Sequence, residues 1–141
     1  VIEPQFDKVE DFGDGLAPVL INDKWGFINR KGKVAIEPQY EHVWEFSEGL
    51  GQIYQNGKWG FIDVNGKVVI KPRFDYVGDV SEGMIAVKIK DSYGYIDKKG
   101  DFIVKPQFFH AFGFNGGLAE VSGETSGYID KTGKFVWKEP K

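Results

Sequence analysis

The sequence contains no cysteine and a single methionine among its 141 residues. The absence of cysteine excludes a disulfide framework and thiolate metal sites, and it leaves the redox compartment open. The formal net charge is −3, which argues against a broad electrostatic attraction to nucleic acid or to an anionic membrane surface. We therefore predict that the protein has no nucleic-acid partner.

Long apolar runs are also absent. No stretch approaches the roughly 20 residues that a membrane-spanning helix needs, and no signal-peptide pattern is present at the N-terminus. These absences predict no membrane insertion, and they leave the localisation unknown. Because the sequence begins at Val1, inside what reads as a strand, we expect a processed product or a piece of a longer protein.

Aromatic residues and glycine are, by contrast, abundant. The aromatic fraction is 16% and there are 19 glycines, a combination that suits short strands joined by tight turns. The segment KWGFI occurs at 24–28 and again at 58–62, with softer copies, SYGYI and TSGYI, at 92–96 and 125–129. These copies indicate an internal repeat.

The repeat has a period of 34 residues, with one residue lost before Gly127 and one extra residue in KFVWKEP that restores the phase at Pro140. Prolines recur at this spacing at Pro4, Pro38, Pro72, Pro106 and Pro140. Glycines recur at the same spacing at Gly15, Gly49, Gly83 and Gly117. A fixed period of this size is typical of repeat architectures, in which one unit is too small to bury its own apolar face.

Each unit reads as β structure. In residues 15–48, LAPVLI and KWGFIN alternate as two strands around a turn, and KVAIEP reads as a third strand that Pro38 ends, since proline cannot donate to a ladder. YEHVWEF reads as a fourth, short and less regular strand, and no stretch shows a sustained helical period. We predict an all-β fold of hairpin and meander units. The predicted single domain, 1–141, contains units at 15–48, 49–82, 83–116 and 117–141 and a partial unit at 1–14.

The KWGFI strand explains why the motif recurs. Alternation places Trp25 and Phe27 on one face and Gly26 on the other. Glycine inside a strand permits a neighbouring backbone or ring to approach closely. Stacking of equivalent rings from successive units would supply a shared core, so we expect Trp25 and Trp59 in the interior.

The order of these motifs resembles the bacterial WG-repeat (KWG-repeat) proteins. Units of that family carry a lysine-aromatic-glycine-aromatic-isoleucine-aspartate core, a glycine-lysine turn, a proline-ended strand and a phenylalanine-serine-glutamate-glycine-leucine segment. The matching stretches here are 58–63, 66–67, Pro72 and 46–50. The resemblance covers the whole chain, with departures at Tyr93 and Ser126. It implies β-rich repeats, often in multidomain or surface-associated proteins, and it implies no catalytic residues and no general ligand.

Two arrangements of the units follow from the sequence. A four-bladed propeller would need four strands in each unit, and blades with known signatures run to roughly 40–50 residues. Closure also favours complementary half-blades at the two ends, whereas VIEP and KFVWKEP are strands of the same type. An open superhelical β array is the leading expectation, and a small closed β-propeller-like ring is the alternative.

Asn and Asp recur at one equivalent position in successive units, and we call such a set of equivalent positions a column. This column raises the question of a metal site. Carboxylates repeated in this way bind Ca²⁺ in some β arrays. Each of these residues, however, comes just before an x-x-Gly turn, where Asp or Asn accepts hydrogen bonds from the backbone beyond it. We therefore predict turn caps and no metal site. The column consists of Asn29, Asp63, Asp97 and Asp130.

The two histidines, His42 and His110, occupy one column two units apart. In an open array they would not converge on a metal, so we expect both at the surface. No Ser/His/Asp or Cys/His arrangement suggests itself, and no phosphate-binding loop is present. We expect no catalytic residues, no cofactor and no enzymatic activity.

Aromatic residues outside the repeated columns are the candidates for binding. Phe109 stands in a column that is otherwise acidic, and Phe112 is the equivalent of Trp44 and Glu10. An acidic column faces solvent because an unpaired buried carboxylate is costly, so a ring placed there is exposed unless the chain end, at Trp137, or a partner covers it. The candidate binding residues are Phe109, Phe112, Phe114 and Trp44.

Two functional classes follow from these candidates. The first is a non-catalytic repeat domain for protein–protein interaction or scaffolding, with another protein or a second copy of the chain as the partner. The alternative is a carbohydrate-binding or cell-wall-binding repeat domain. A contiguous apolar patch would favour a protein partner, and isolated exposed rings beside polar groups would favour sugars.

Overall fold

The computed structural model describes residues 6–140, and over that range every regular element is a β-strand. The all-β prediction is confirmed. The strands are β1 (Lys8–Val9), β2 (Leu16–Ile21), β3 (Lys24–Asn29), β4 (Val34–Tyr40), β5 (His42–Ser47), β6 (Leu50–Gln55), β7 (Lys58–Asp63), β8 (Val68–Phe74), β9 (Tyr76–Val77), β10 (Met84–Ile89), β11 (Ser92–Asp97), β12 (Phe102–Phe108), β13 (His110–Ala111), β14 (Ala119–Ser122), β15 (Gly127–Ile129) and β16 (Phe135–Lys138).

The strands form four sheets of four strands each, β1–β4, β5–β8, β9–β12 and β13–β16, which we call the first to fourth sheets. Each is an antiparallel meander in which neighbours in the sheet are neighbours in the chain, and none closes on itself. Every sheet begins with the strand that follows the repeated proline. Because four strands fit within one repeat, the length of the repeat gives no argument against a propeller-type blade.

The fourth strand of each of the first three sheets does not end at its proline, which corrects the prediction for Pro38. β4 continues through Pro38 to Tyr40. Trp25 pairs with Tyr40 and Phe27 pairs with Ile36, so three residues of β4 oppose the single residue Gly26. This bulge removes the proline from the ladder, and its missing N–H therefore costs no strand pairing.

Glycine is required opposite this bulge. A Cβ built on Gly26 would lie 2.6 Å from the nitrogen of Pro38, and one on Gly60 would lie 2.6 Å from the nitrogen of Pro72. Contacts this short with backbone atoms cannot be relieved by a side-chain rotation. The close backbone approach predicted from the Trp-Gly dipeptide is thus confirmed, and its partner is the proline bulge.

The predicted turn caps are also confirmed. The backbone N–H groups of Asn65 and Lys67 each donate to Oδ1 of Asp63 at 2.9 Å. The same pair of bonds forms at Asn29, Asp97 and Asp130. The hydroxyl of Thr132 also donates to Asp130, and this bond, followed by the backbone bond from Lys134, lowers the pKa of that carboxyl.

The chain divides into two compact parts, with the boundary between Arg73 and Phe74, inside β8. We describe the two separately, as the first part and the second part. The single domain predicted over 1–141 stays a prediction. The core of the first part includes Leu16, Trp25, Phe27, Ile36, Tyr40, Val43 and Phe46. The core of the second part includes Met84, Tyr95, Val104, Phe108, Phe114 and Ile129.

We call the residues that precede the second strand of each sheet its leading segment, which is 7–15 in the first sheet, 41–49 in the second and 109–117 in the fourth. In the first part, the second sheet packs on the first through its leading segment. The Phe27 and Phe46 rings meet edge to face, with centroids 4.8 Å apart. The carboxylate of Asp14 accepts a hydrogen bond from the N–H of Gly49 at 2.8 Å. Stacking of successive units on a shared aromatic core, as the KWGFI repeat predicts, is therefore present within this part.

The second part repeats the same packing between the third and fourth sheets. The Tyr95 and Phe114 rings lie 5.0 Å apart. Glu82 accepts hydrogen bonds from the N–H groups of Gly116 and Gly117, at 2.6 and 2.9 Å. The Tyr95 hydroxyl donates to the carbonyl of Phe112 at 2.6 Å, and burial raises the pKa of this phenol despite that bond.

Candidate functional site

Three of the four candidate binding residues are exposed and one is not. The exposed fractions are 62% for Phe109, 56% for Phe112 and 54% for Trp44. Phe114 is 2% exposed and packs against Tyr95. Its inclusion among surface candidates is therefore corrected: Phe114 holds the fourth sheet on the third and cannot present its ring to a partner.

Trp44 and Phe112 occupy equivalent positions, two repeats apart. Trp44 lies in β5, the first strand of the second sheet, and Phe112 directly follows β13, the first strand of the fourth sheet. The N–H of Phe112 donates to the carbonyl of Glu120 at 3.0 Å, which continues the ladder and fixes the backbone below the ring. Both rings therefore project from the first strand of a sheet.

A cleft of about 210 Å³ lies beside Trp44 in the first part. Its aromatic wall contains Trp25, which is buried, and His42, which is half-buried. The His42 ring lies edge-on to both tryptophans, with centroids 5.8 Å from Trp25 and 5.6 Å from Trp44. His42 is thus part of an aromatic cluster, although the sequence predicted only a surface histidine.

The rim of this cleft is acidic. Glu10 and Asp11 contribute from the segment after β1, and Glu45 contributes from β5; all three carboxylates are exposed. Anionic groups beside aromatic faces suit a cationic side chain, which the ring quadrupole and the carboxylates both attract. Sugar hydroxyls also suit such a surface. Sequence reasoning did not assemble this cleft because Glu10 and Trp44 are equivalent positions of different repeats, which periodicity compares but does not place side by side.

The fourth sheet carries a related aromatic arrangement in the second part. The ring of His110 lies 6.0 Å from that of Tyr93, as His42 lies near Trp25. Tyr93 is half-buried, and His110 is exposed. The two histidines therefore share a role in the packing of aromatic rings.

The acidic residues of the column that Phe109 interrupts stabilise the hairpin turns. Asp7, Glu41 and Asp75 each accept a hydrogen bond from the backbone of the next hairpin turn, at Asn22, Asn56 and Lys90. The fourth unit has a different turn, in which the N–H of Gly123 donates to the hydroxyl of Ser126 at 3.3 Å. A local serine thus bonds the turn backbone where other units use the acidic residue, so position 109 is free to carry an aromatic ring.

The described C-terminal residues, as far as Pro140, do not cover these rings. Trp137, the proposed cover, is itself exposed, and its ring contacts Tyr128 at 6.3 Å. Phe109 and Phe112 remain more than half exposed, and β13 and β16 lie at opposite edges of the fourth sheet. Between residues 6 and 140, no group of three or more His, Cys, Asp or Glu side chains is arranged to hold a metal ion. The same range contains no helix long and apolar enough to cross a membrane.

Comparison with known proteins identifies the repeat. The family model described as "WG containing repeat" matches four times, at residues 1–25, 25–59, 59–92 and 93–122. No curated protein matches the chain.

Solved structures show the same kind of fold. Hsv2p of Kluyveromyces lactis is similar with a TM-score of 0.54 and 14% identity, over 88% of this chain and 46% of that one. An extracellular domain from B. thetaiotaomicron has a TM-score of 0.54 and 15% identity, over 96% of this chain and 21% of that one. These neighbours are β-propeller-like repeat domains, and this chain spans less than half the length of either.

Proposed function

The chain belongs to the WG containing repeat family, and on that premise we propose that it is a non-catalytic repeat domain that binds another protein. The observation that carries this proposal is the exposure of Phe109, Phe112 and Trp44 on the leading segments of two sheets. Large exposed rings on a rigid β scaffold are the groups that most often dominate protein interfaces.

Position and charge support a protein partner of a particular kind. Phe109 and Phe112 flank the short strand β13, which holds both backbones in a ladder. Because the backbone below the rings is already ordered, a partner that binds them pays little backbone entropy at this strand. The carboxylates beside Trp44 favour a partner segment that presents lysine or arginine next to apolar side chains.

A peptide selection tests the proposal. Peptides would be selected from a random library against the intact chain, and their affinity measured by calorimetry for the wild type and for the Phe109→Glu/Phe112→Glu variant. We expect peptides rich in apolar side chains, whose affinity for the double variant falls at least about tenfold. The melting temperature should stay unchanged, since both rings are exposed.

A matched control is available on the same sheet. Val136 is also exposed but lies in β16, so Val136→Glu should leave the affinity for the selected peptides unchanged. Failure to enrich any peptide, or equal affinity for all three proteins, would contradict the proposal. A lower melting temperature for the double variant would show instead that the two rings cap the fold.

Carbohydrate binding is the second candidate, and one observation favours it. Trp44 is an exposed ring beside carboxylates and His42 in a cleft, which is the setting in which sugars stack on aromatic faces. Titration of a panel of soluble oligosaccharides would test it. Binding that Trp44→Ala abolishes and Phe109→Glu/Phe112→Glu retains would replace the protein-binding proposal.

A further inference from the structure

The fourth sheet has an uncovered face at positions that are buried in other repeats. Cross-strand pairing aligns Tyr128 and Trp137 in one row, and Tyr128 also pairs with Glu120. The same pairing defines the rows Pro18–Phe27–Ile36 and Ala86–Tyr95–Val104. Every residue of those two rows is buried, whereas Tyr128 is 41% and Trp137 is 52% exposed.

Leu118 belongs to the same uncovered region. Its equivalents, Leu16 and Met84, are buried in the cores of their parts, and Leu118 is exposed. We call Leu118, Tyr128 and Trp137 the terminal face. It is apolar and aromatic, although the charge of Glu120 lies beside it, and Trp137 is larger than the isoleucine and valine in the equivalent places.

The packing within each part shows what normally covers such a row. Phe46, from the leading segment of the second sheet, covers Phe27, and Phe114 covers Tyr95 in the same way. The first repeat has an equivalent ring, Phe12, which is 38% exposed. The Arg30 guanidinium lies 4.9 Å from its centroid. Among the described residues, the terminal face is thus uncovered, and Phe12 is an exposed ring of the type that covers such a face; we call Phe12 the inserting ring.

The terminal face also has the hydroxyl group that donates a hydrogen bond in the equivalent packing of the second part. Tyr95 donates its hydroxyl to the carbonyl of Phe112 in the leading segment that covers it. Tyr128 retains that hydroxyl, whereas the equivalent residues of the first and second sheets are Phe27 and Phe61. The equivalent of Phe112 in the first repeat is Glu10, whose carbonyl is the corresponding acceptor.

We propose that a second copy of this chain binds head to tail, with Phe12 of one molecule seated on the terminal face of the other. The contact continues, between molecules, the interface that joins successive sheets within each part. One feature is missing: Gly116 stands where Asp14 and Glu82 accept backbone hydrogen bonds. Association is therefore weaker than the packing within the chain and depends on concentration. A heterologous contact of this type forms rings or open chains.

Analytical ultracentrifugation over about 1 to 500 µM tests the proposal, since that range covers association of moderate strength. The wild type should rise above the monomer mass of 15.9 kDa. Phe12→Glu and Tyr128→Glu/Trp137→Glu should each weaken association at least about tenfold. Circular dichroism would establish that the variants fold, and Phe12→Ser and Trp137→Ser replace any that do not.

Mixing the two variants is the decisive measurement. Phe12→Glu keeps an intact terminal face, and Tyr128→Glu/Trp137→Glu keeps an intact inserting ring, so an equimolar mixture should form a 1:1 dimer and no larger species. Val136→Glu, on the opposite side of β16 from Trp137, should associate like the wild type. A wild type that stays monomeric, or a mixture that forms no dimer, would overturn the proposal.

The outcome is separable from that of the proposed function. Phe109→Glu/Phe112→Glu should self-associate like the wild type, because neither ring belongs to the terminal face and neither lies near Phe12 in the sequence. Loss of self-association in that variant alone would assign the contact between copies to Phe109 and Phe112, and would reject the terminal face.

Discussion

At the residue scale, the repeated tryptophan is not used equally in each unit. Trp25 is buried and lies in the core of the first part, whereas Trp59 is half-buried between Tyr54 and His42, with ring centroids 4.9 and 6.1 Å away. Tyr93 and Ser126 occupy the same column in the third and fourth units. The column thus changes from a buried position in the first unit to a half-buried position in the later units.

These differences in burial predict that truncation of different tryptophans has unequal effects on the free energy of unfolding. Trp25→Ala should lower the free energy of unfolding by about 3–5 kcal/mol, because it leaves a cavity in the core. Trp59→Ala should cost about half as much, and Trp44→Ala, an exposed control of the same type, should cost less than about 0.5 kcal/mol. Urea unfolding measures all three. Equal stability of the Trp25 and Trp44 variants would refute the core assignment.

The Asx turns give a second test on single residues. Asp63→Ala removes the acceptor for Asn65 and Lys67 and should cost about 1 kcal/mol. Asp63→Asn should cost little, since Asn29 makes the same bonds at 2.9 and 3.1 Å. Calorimetric titration of the wild type with Ca²⁺ should show no binding. Micromolar affinity for Ca²⁺, lost in Asp63→Asn, would make the column a metal site.

At the scale of elements, the two sheets within each part are joined by the same two kinds of contact. One is the edge-to-face ring pair. The other is a carboxylate that accepts hydrogen bonds from backbone N–H groups of the next leading segment. Glu82 makes the second contact in the second part, and Lys131 lies 3.2 Å from its Oε1. The Gly117 N–H bond, as the largest cause, lowers the pKa of Glu82 below its ordinary value of 4.5.

The sign of this shift predicts a dependence on pH. A carboxyl whose pKa is lower in the folded state stabilises the fold above its unfolded pKa, and that contribution is lost as the pH falls through the folded pKa. Stability should therefore decline more steeply below about pH 4.5 in the wild type than in Glu82→Gln. Urea unfolding at a series of acidic pH values measures the difference. Exposed Glu124→Gln is the charge control, and it should retain the wild-type slope.

At the scale of the whole molecule, the boundary between the two parts lies inside β8, between Arg73 and Phe74. No linker separates the parts in sequence. In repeat proteins, stability is carried by the repeats together with the interfaces between neighbours. We therefore propose that the chain unfolds as the single domain expected from its length.

Calorimetry distinguishes one cooperative unit from two. Trp25→Ala perturbs the first part, and Tyr95→Phe removes the hydroxyl bond to Phe112 in the second part. If the chain is one domain, both variants should lower the midpoint of the same transition. Two transitions, each responding only to the variant in its own part, would show that the parts unfold independently.

The sequence by itself determined the repeat, its all-β character and the turn caps. These follow from local chemistry: period-2 alternation, glycine at positive φ and an Asx residue before each turn need no distant contact to be recognised. The requirement for glycine after Trp25 and Trp59 was also predictable, because a strand position without a side chain implies that another part of the chain approaches it closely.

Tertiary structure alone decided which backbone segment approaches these glycines and which aromatic rings are buried. Pro38 stays in β4 because Gly26, twelve residues earlier in the chain, opposes a bulge. Phe114 is buried while Phe112 is exposed, although both belong to one aromatic segment, because burial depends on whether the preceding sheet lies against the ring. Periodicity identifies equivalent positions, but it cannot show which copy has a neighbour to cover it.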